Sequence, residues 1–246
     1  MSHVIALAGK GGTGKTTVAT LLVRLFKEIK KGSILAVDAD PNSNLPEALG
    51  LKIKETMGQI LDDIAASLDK IPAGMPKERF IEYRIQTAIA EGDGFDLLVM
   101  GRPEGPGCYC YVNNVLRNIM AKLIKDYDYV IIDNEAGLEH LSRRTTRHAD
   151  TLLIVSDATI PGLRAAGRIH DLARTLDIKI GKELLLVNSS DKDIEPQKLE
   201  WPGLEYLGRL PYDRQIEKIS LAGGALLELE ESAASISALR KLFDKI

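Results

Sequence analysis

One short stretch constrains this chain more than any other: Gly9-Lys10-Gly11-Gly12-Thr13-Gly14-Lys15-Thr16. It follows an apolar run, Val4-Ile5-Ala6-Leu7-Ala8, that reads as a buried strand. It opens a segment from Lys15 to Lys30 in which Val18, Leu21, Leu22 and Leu25 recur at helical spacing. A glycine-rich turn between a strand and a helix is a phosphate cradle. Its glycines let backbone N–H groups turn inward around phosphate oxygens, and the helix N-terminus adds partial positive charge. Gly11, Gly12, Thr13, Gly14, Thr16 and Thr17 are therefore assigned to nucleotide binding. Lys15 reaches the outer phosphates, and the Thr16 hydroxyl ligates Mg²⁺.

A strand that feeds such a loop needs parallel neighbours, and the rest of the chain supplies them. Residues 34–37, 97–100, 129–132, 152–155 and 184–187 are short apolar runs that read as strands, and 206–210 reads as a last short strand before Pro211. Helical patterns separate several of them: about 111–125, about 162–176, and the C-terminal stretch from about Gly224. Residues 45–90 are less regular and read as helices and loops, broken near Pro72 and Pro76. Continuous apolar strands alternating with helices predict a three-layer α/β fold, a mostly parallel sheet flanked by helices. With 246 residues and no evident linker or repeat, the expectation is one domain over residues 1–246. Ligands on such sheets bind beyond the carboxyl ends of the strands, which gathers the polar residues after each run onto one edge.

The net charge of −3 gives no footprint for nucleic acid. No apolar run approaches the roughly 20 residues that span a bilayer. The first residues lack the pattern of a secretory signal, so a cytoplasmic protein is expected.

A second lysine, Lys10, stands early in the phosphate loop, where cradling phosphate within one chain does not need it. In this the loop resembles the deviant K-G-G-x-G-K-T loop of the MinD/ParA/nitrogenase iron protein class of P-loop ATPases. The resemblance implies that Lys10 reaches across a dimer to the partner's nucleotide, there stabilising charge on the transferring phosphoryl group together with Lys15. It implies further that Asp40, in Asp38-Ala39-Asp40-Pro41, orients the attacking water, and that Asp38 supports Mg²⁺ through water. Asp133 falls at the Walker B position as a further Mg²⁺ group, and Gly137 senses the γ-phosphate through its backbone N–H. Asn188 and Pro211-Tyr212-Asp213 match the positions that contact adenine. The guanine-reading N-K-x-D pattern is absent at Asn188-Ser189-Ser190-Asp191, so the nucleotides expected are ATP and ADP.

The two cysteines, Cys108 and Cys110, are one residue apart in Gly107-Cys108-Tyr109-Cys110-Tyr111. Such a pair supplies two thiolates where a tetrahedral thiolate site wants four, and a two-fold dimer would bring two pairs together. Ni²⁺, Zn²⁺ or an iron–sulfur cluster would all suit four sulfurs. Together with Asn114-Val115-Leu116-Arg117 and the segment Asp133-Asn134-Glu135-Ala136-Gly137-Leu138-Glu139-His140-Leu141, this loop resembles the CooC-type ATPases, with AcsF-like relatives. That resemblance implies a metallochaperone whose homodimer depends on nucleotide or metal and which delivers nickel to carbon monoxide dehydrogenase or acetyl-CoA synthase. Two other readings remain open: an iron–sulfur scaffold or electron donor, and a MinD/ParA-like positioning ATPase. His140 is not taken as a ligand, and Arg143, Arg144 and Arg147 read as a solvated face.

Overall fold

The strands of this chain are apolar on both faces because the sheet is covered on both. The structure, a computed structural model, describes residues 2–29, 32–66, 71–101, 118–137, 148–176, 178–192, 194 and 201–246. Among the described residues, eight strands form one sheet: β1 (His3–Gly9), β2 (Ile34–Ala39), β3 (Ala90–Glu91), β4 (Asp96–Val99), β5 (Tyr129–Asn134), β6 (His148–Ser156), β7 (Lys179–Val187) and β8 (Leu204–Arg209). Their order is β3-β4-β2-β5-β1-β6-β7-β8, parallel throughout except for the short edge pair β3–β4. The expected three-layer, mostly parallel architecture is the observed one.

Successive side chains of a strand point to opposite faces. Val4, Ala6 and Ala8 of β1 therefore enter one core, and Ile5 and Leu7 enter the other. Helices α3 (Met57–Ala66), α4 (Lys77–Ala88), α5 (118–124 as described) and α6 (Ile160–Ala173) bury apolar residues in the first core, among them Ile60, Ile85, Met120 and Ala166. Helices α1 (Lys15–Ile29) and α8 (Ala234–Leu242) fill the second with Leu22, Leu25, Ile236 and Leu239, and the four-residue α2 (Leu45–Ala48) adds Leu45. Each fully buried leucine or isoleucine contributes about 1.5–3 kcal/mol through removal from water. The central strands, apolar on both sides, hold the sheet's C-terminal edge in a fixed register: His3–Leu7 beside Tyr129–Asp133, and Ile34–Ala39 beside Tyr129–Asn134.

Several elements run past the apolar runs that announce them. β6 and β7 each span nine residues, because Ala149 and Thr151 of β6 are buried and the mixed stretch from Lys179 to Glu183, with Ile180 packed against the first core, continues the pairing. Helix α7 (Arg214–Ala222) carries no buried residue, which hides it from a reading of apolar periodicity. Its signals lie at its ends. Asp213 Oδ1 accepts from the Gln215 N–H at 2.9 Å, and Gly223 closes the helix at a φ of 65°.

The other oxygen of Asp213 accepts from the Ser235 N–H at 2.9 Å and the Ser235 hydroxyl at 2.8 Å, which ties the starts of α7 and α8 together. Burial pushes the Asp213 carboxyl up, but the donors from Ser235 and Gln215 outweigh it and hold the carboxyl below its usual range. Asp213→Ala removes a helix cap and leaves the Ser235 groups unsatisfied, at a cost of about 2 kcal/mol. A urea titration is expected to show a lower midpoint with an unchanged slope. An unaltered midpoint would show that the tether carries no stability.

Candidate functional site

The phosphate loop is built by close approach. β1 ends at Gly9, where a Cβ would stand 2.3 Å from the Val155 carbonyl oxygen of β6, so no side chain fits. The chain then turns away from the sheet. Gly14, at a φ of 87°, brings it back into α1, whose first carbonyl bond runs from the Val18 N–H to the Gly14 oxygen at 2.9 Å. Inside the turn, the Thr13 hydroxyl donates to the Lys10 carbonyl at 2.9 Å.

The two lysines of the loop have opposite environments. Lys15 is buried, its Nζ 3.4 Å from both the Gly9 and the Lys10 carbonyl oxygens. Lys10 is exposed. The N–H of Gly137, three residues beyond the end of β5, also points to the Gly9 carbonyl, at 3.4 Å. Two donors expected to meet an outer phosphate therefore converge on one carbonyl of the loop.

Beside the loop, two carboxylates lie on adjacent strands. Asp38 of β2 pairs in register with Asp133 of β5. Thr16 donates its hydroxyl to Asp133 Oδ2 at 2.6 Å, while Asp133 Oδ1 is buried without a hydrogen-bond partner among the described residues. An orphaned carboxylate oxygen next to the Thr16 hydroxyl fits a hard cation that takes oxygen ligands, and Mg²⁺ is such a cation. Asp38 is spent differently. Its Oδ1 accepts from the Asp40 N–H at 3.0 Å, and its Oδ2 from the Leu45 N–H at 2.9 Å. It shapes the loop that carries Asp40, and each of its oxygens keeps a lone pair that can accept from a bridging water. Asp40 itself is half-buried, with Oδ1 accepting from both the backbone and side-chain N–H of Asn42 at 2.9 and 3.0 Å.

On the far side of the loop, a cavity of about 260 Å³ is walled by Gly12, Thr13, Gly14 and Thr17 against Asn188, Pro211 and Tyr212. The residues expected to contact adenine thus meet the phosphate loop in one hollow. The Asp213 carboxylate stands in its wall with both oxygens engaged by the helix cap and Ser235. The structure adds Asp157, Ser189, Ile216 and Glu217 to the lining. Asp157 follows the end of β6, as Asn188 follows β7, so strand-end position was a signal for it; Ile216 and Glu217 lie on the helix that periodicity missed. Glu217 bonds the Tyr212 hydroxyl and pushes it above its usual range.

Cys108, Cys110, His140, Arg143, Arg144 and Arg147 lie outside the described residues. Among the described residues, no cluster of three or more histidine, cysteine or carboxylate groups is arranged to hold a metal ion. None of the described helices is long and apolar enough to cross a membrane.

A parallel sheet that delivers a glycine loop, a buried loop lysine and strand-end aspartates to one edge defines a P-loop nucleotide-binding protein, with the fold of the MinD/ParA ATPases. The model of the AAA domain family matches residues 2–184, and the chain belongs to that family. It is 43% identical over 248 residues to an uncharacterized ATP-binding protein of Methanocaldococcus jannaschii, covering 99% of this chain and 98% of that one. It is 28% identical over 236 residues to the carbon monoxide dehydrogenase accessory protein CooC of Rhodospirillum rubrum, covering 92% and 89%. The septum site-determining protein MinD of Pyrococcus horikoshii, solved with Mg-ADP, shares the fold at a TM-score of 0.71 and 22% identity, covering all of this chain and 96% of that one.

Burial pushes the Asp38 carboxyl up to about 7, with the nearby Asp133 adding to it against the Leu45 N–H. Burial likewise pushes Asp133 up to about 6, opposed by the Thr16 hydroxyl and Lys15. Both folded values lie above the unfolded one, so the folded state holds more protons between about pH 4 and 7. Without nucleotide and in a chelator, stability is therefore expected to fall as pH rises through that window. Asp133→Asn removes one of the two charges and should flatten the fall in thermal midpoint between pH 5 and 8. An unchanged slope in the variant would count against the buried pair as its source.

Proposed function

We propose that this protein is an ATP-hydrolysing metallochaperone that dimerises on nucleotide or metal and inserts nickel into carbon monoxide dehydrogenase or acetyl-CoA synthase. The observation that carries the ATPase half of this reading is the pairing, in one loop, of a buried lysine with an exposed one. Lys15 is shielded and aimed at the loop's own carbonyls, where an outer phosphate displaces them. Lys10 is turned to solvent and free to serve a second chain's nucleotide.

In the hydrolytic step a water oxygen forms a bond to the γ-phosphorus and the bond to the β,γ-bridging oxygen breaks, giving ADP and phosphate. Asp40 orients the water and takes up its proton. Lys15, the Lys10 of a second copy, and the Gly137 N–H stabilise the charge that gathers on the transferring group. Thr16 and Asp133, with Asp38 behind them, would hold Mg²⁺, which neutralises charge on the β- and γ-phosphate oxygens when bound. Thr17, Asn188, Pro211, Tyr212 and the wall at Asp213 enclose the adenine.

The cargo half rests on Cys108 and Cys110 and on the relative that serves carbon monoxide dehydrogenase. Four thiolates from two chains hold one nickel ion as substrate, Zn²⁺ competing for the same sulfurs. Because metal and ATP both favour the closed dimer, each strengthens binding of the other.

Two measurements test the two halves separately. Lys10→Ala is expected to retain ATP binding and lose ATP-dependent dimerisation, with turnover reduced at least a hundredfold; wild-type values for dimerisation and turnover refute the role of Lys10. Metal stoichiometry with light scattering, under reducing conditions, is expected to give one Ni²⁺ per two chains. That site should vanish in Cys108→Ser/Cys110→Ser. Undiminished Ni²⁺ binding by the double variant removes the cysteines from the mechanism and leaves an ATPase with other cargo.

A further inference from the structure

Asn188 stands where two parts of the site meet, and its side chain faces the phosphate loop. The residue follows the last position of β7, and its backbone N–H donates to the Ser156 carbonyl at 2.8 Å. This bond anchors it to the neighbouring strand β6. Its Nδ2 donates to the carbonyl oxygen of Thr13 at 2.9 Å. The same nitrogen lies 2.2 Å from where a Cβ on Gly14 would be, so the amide occupies the space that the glycine leaves open. Thr13 passes the constraint on. With its own carbonyl held by Asn188, it donates both hydroxyl and N–H to the Lys10 carbonyl, at 2.9 and 3.4 Å. A chain of bonds thus runs from the end of β7 through the crest of the loop to the peptide that carries Lys10.

We infer that Asn188 is a positioning residue for phosphate binding, holding the loop in its cradle shape from the base side of the cavity. The residue has been assigned above to adenine, and this role is additional to that one. A carboxamide can donate two hydrogen bonds and accept others, so a bond to Thr13 leaves capacity for a base. The geometry explains why an amide suits the position. A hydrogen-bond donor is required toward the Thr13 carbonyl, and a neutral one avoids adding negative charge beside bound phosphates. It also explains the glycine at position 14 beyond its φ of 87°: any side chain there would expel the amide.

This inference rests on the reading of the loop as a nucleoside triphosphate site, and a ligand without a base separates the two. Inorganic tripolyphosphate with Mg²⁺ fills only the loop, whereas ATP fills loop and base pocket. Titration calorimetry on the wild type, Asn188→Ala and Asn188→Leu is expected to show tripolyphosphate binding weakened about tenfold in both variants, the scale of one lost hydrogen bond to a structural carbonyl. A variant that binds tripolyphosphate like the wild type while losing affinity for ATP overturns the inference and makes Asn188 a base contact alone. A wild type that binds neither ligand overturns the triphosphate reading itself. Should both variants fail to fold, the side-chain amide resonances of Asn188 in ¹⁵N-labelled wild type give the answer. They are expected to shift on addition of tripolyphosphate, and their indifference to it overturns the inference.

Discussion

Everything at the functional edge depends on how closely β1 approaches β6. At Gly9 the Val155 carbonyl leaves no room for a side chain, and parallel pairing from Ile5 to Gly9 keeps it so. Because the strand ends flush against its neighbour, the chain must leave the sheet as a bare backbone. The loop that follows is therefore made of peptide groups available for anion contacts. The surrounding layers serve this arrangement. The two cores clamp β1 from both faces, so the edge of the sheet holds its position while the loop remains free to exchange partners.

The loop satisfies its own polar groups. The Gly9 carbonyl accepts from Lys15 and from the Gly137 N–H, and Thr16 is bonded to Asp133. Ligand binding here is an exchange of internal bonds for external ones, and affinity reflects the difference. The carboxylates differ in this respect. Each oxygen of Asp38 accepts from a backbone N–H, whereas one oxygen of Asp133 has no partner among the described residues. Of the two, the buried group left incomplete is the one placed to meet a cation.

The phosphate loop and the sheet were legible in the amino-acid sequence because both are written in local terms: glycines at fixed spacing, and apolar runs long enough to be buried on both faces. The strand-end rule also located Asp38, Asp133 and Asn188. What escaped was information carried by tertiary context. Helix α7 buries no residue completely, so its caps at Asp213 and Gly223 announce it better than its pattern does. Nothing local reveals that the Asp213 carboxylate is engaged by Ser235, 22 residues away, or that Asn188 reaches Thr13, 175 residues away. The cysteine pair was conspicuous in sequence, but Cys108 and Cys110 lie outside the described residues.

The two margins of the sheet carry a last consequence. On one side stands β3, two residues long and antiparallel to its neighbour; on the other stands β8, whose pairing with β7 slips between Leu185 and Leu186. A margin that is very short, or locally out of step, offers a poor template to a strand from another molecule. Growth by continuing the sheet from copy to copy is thereby discouraged at both ends.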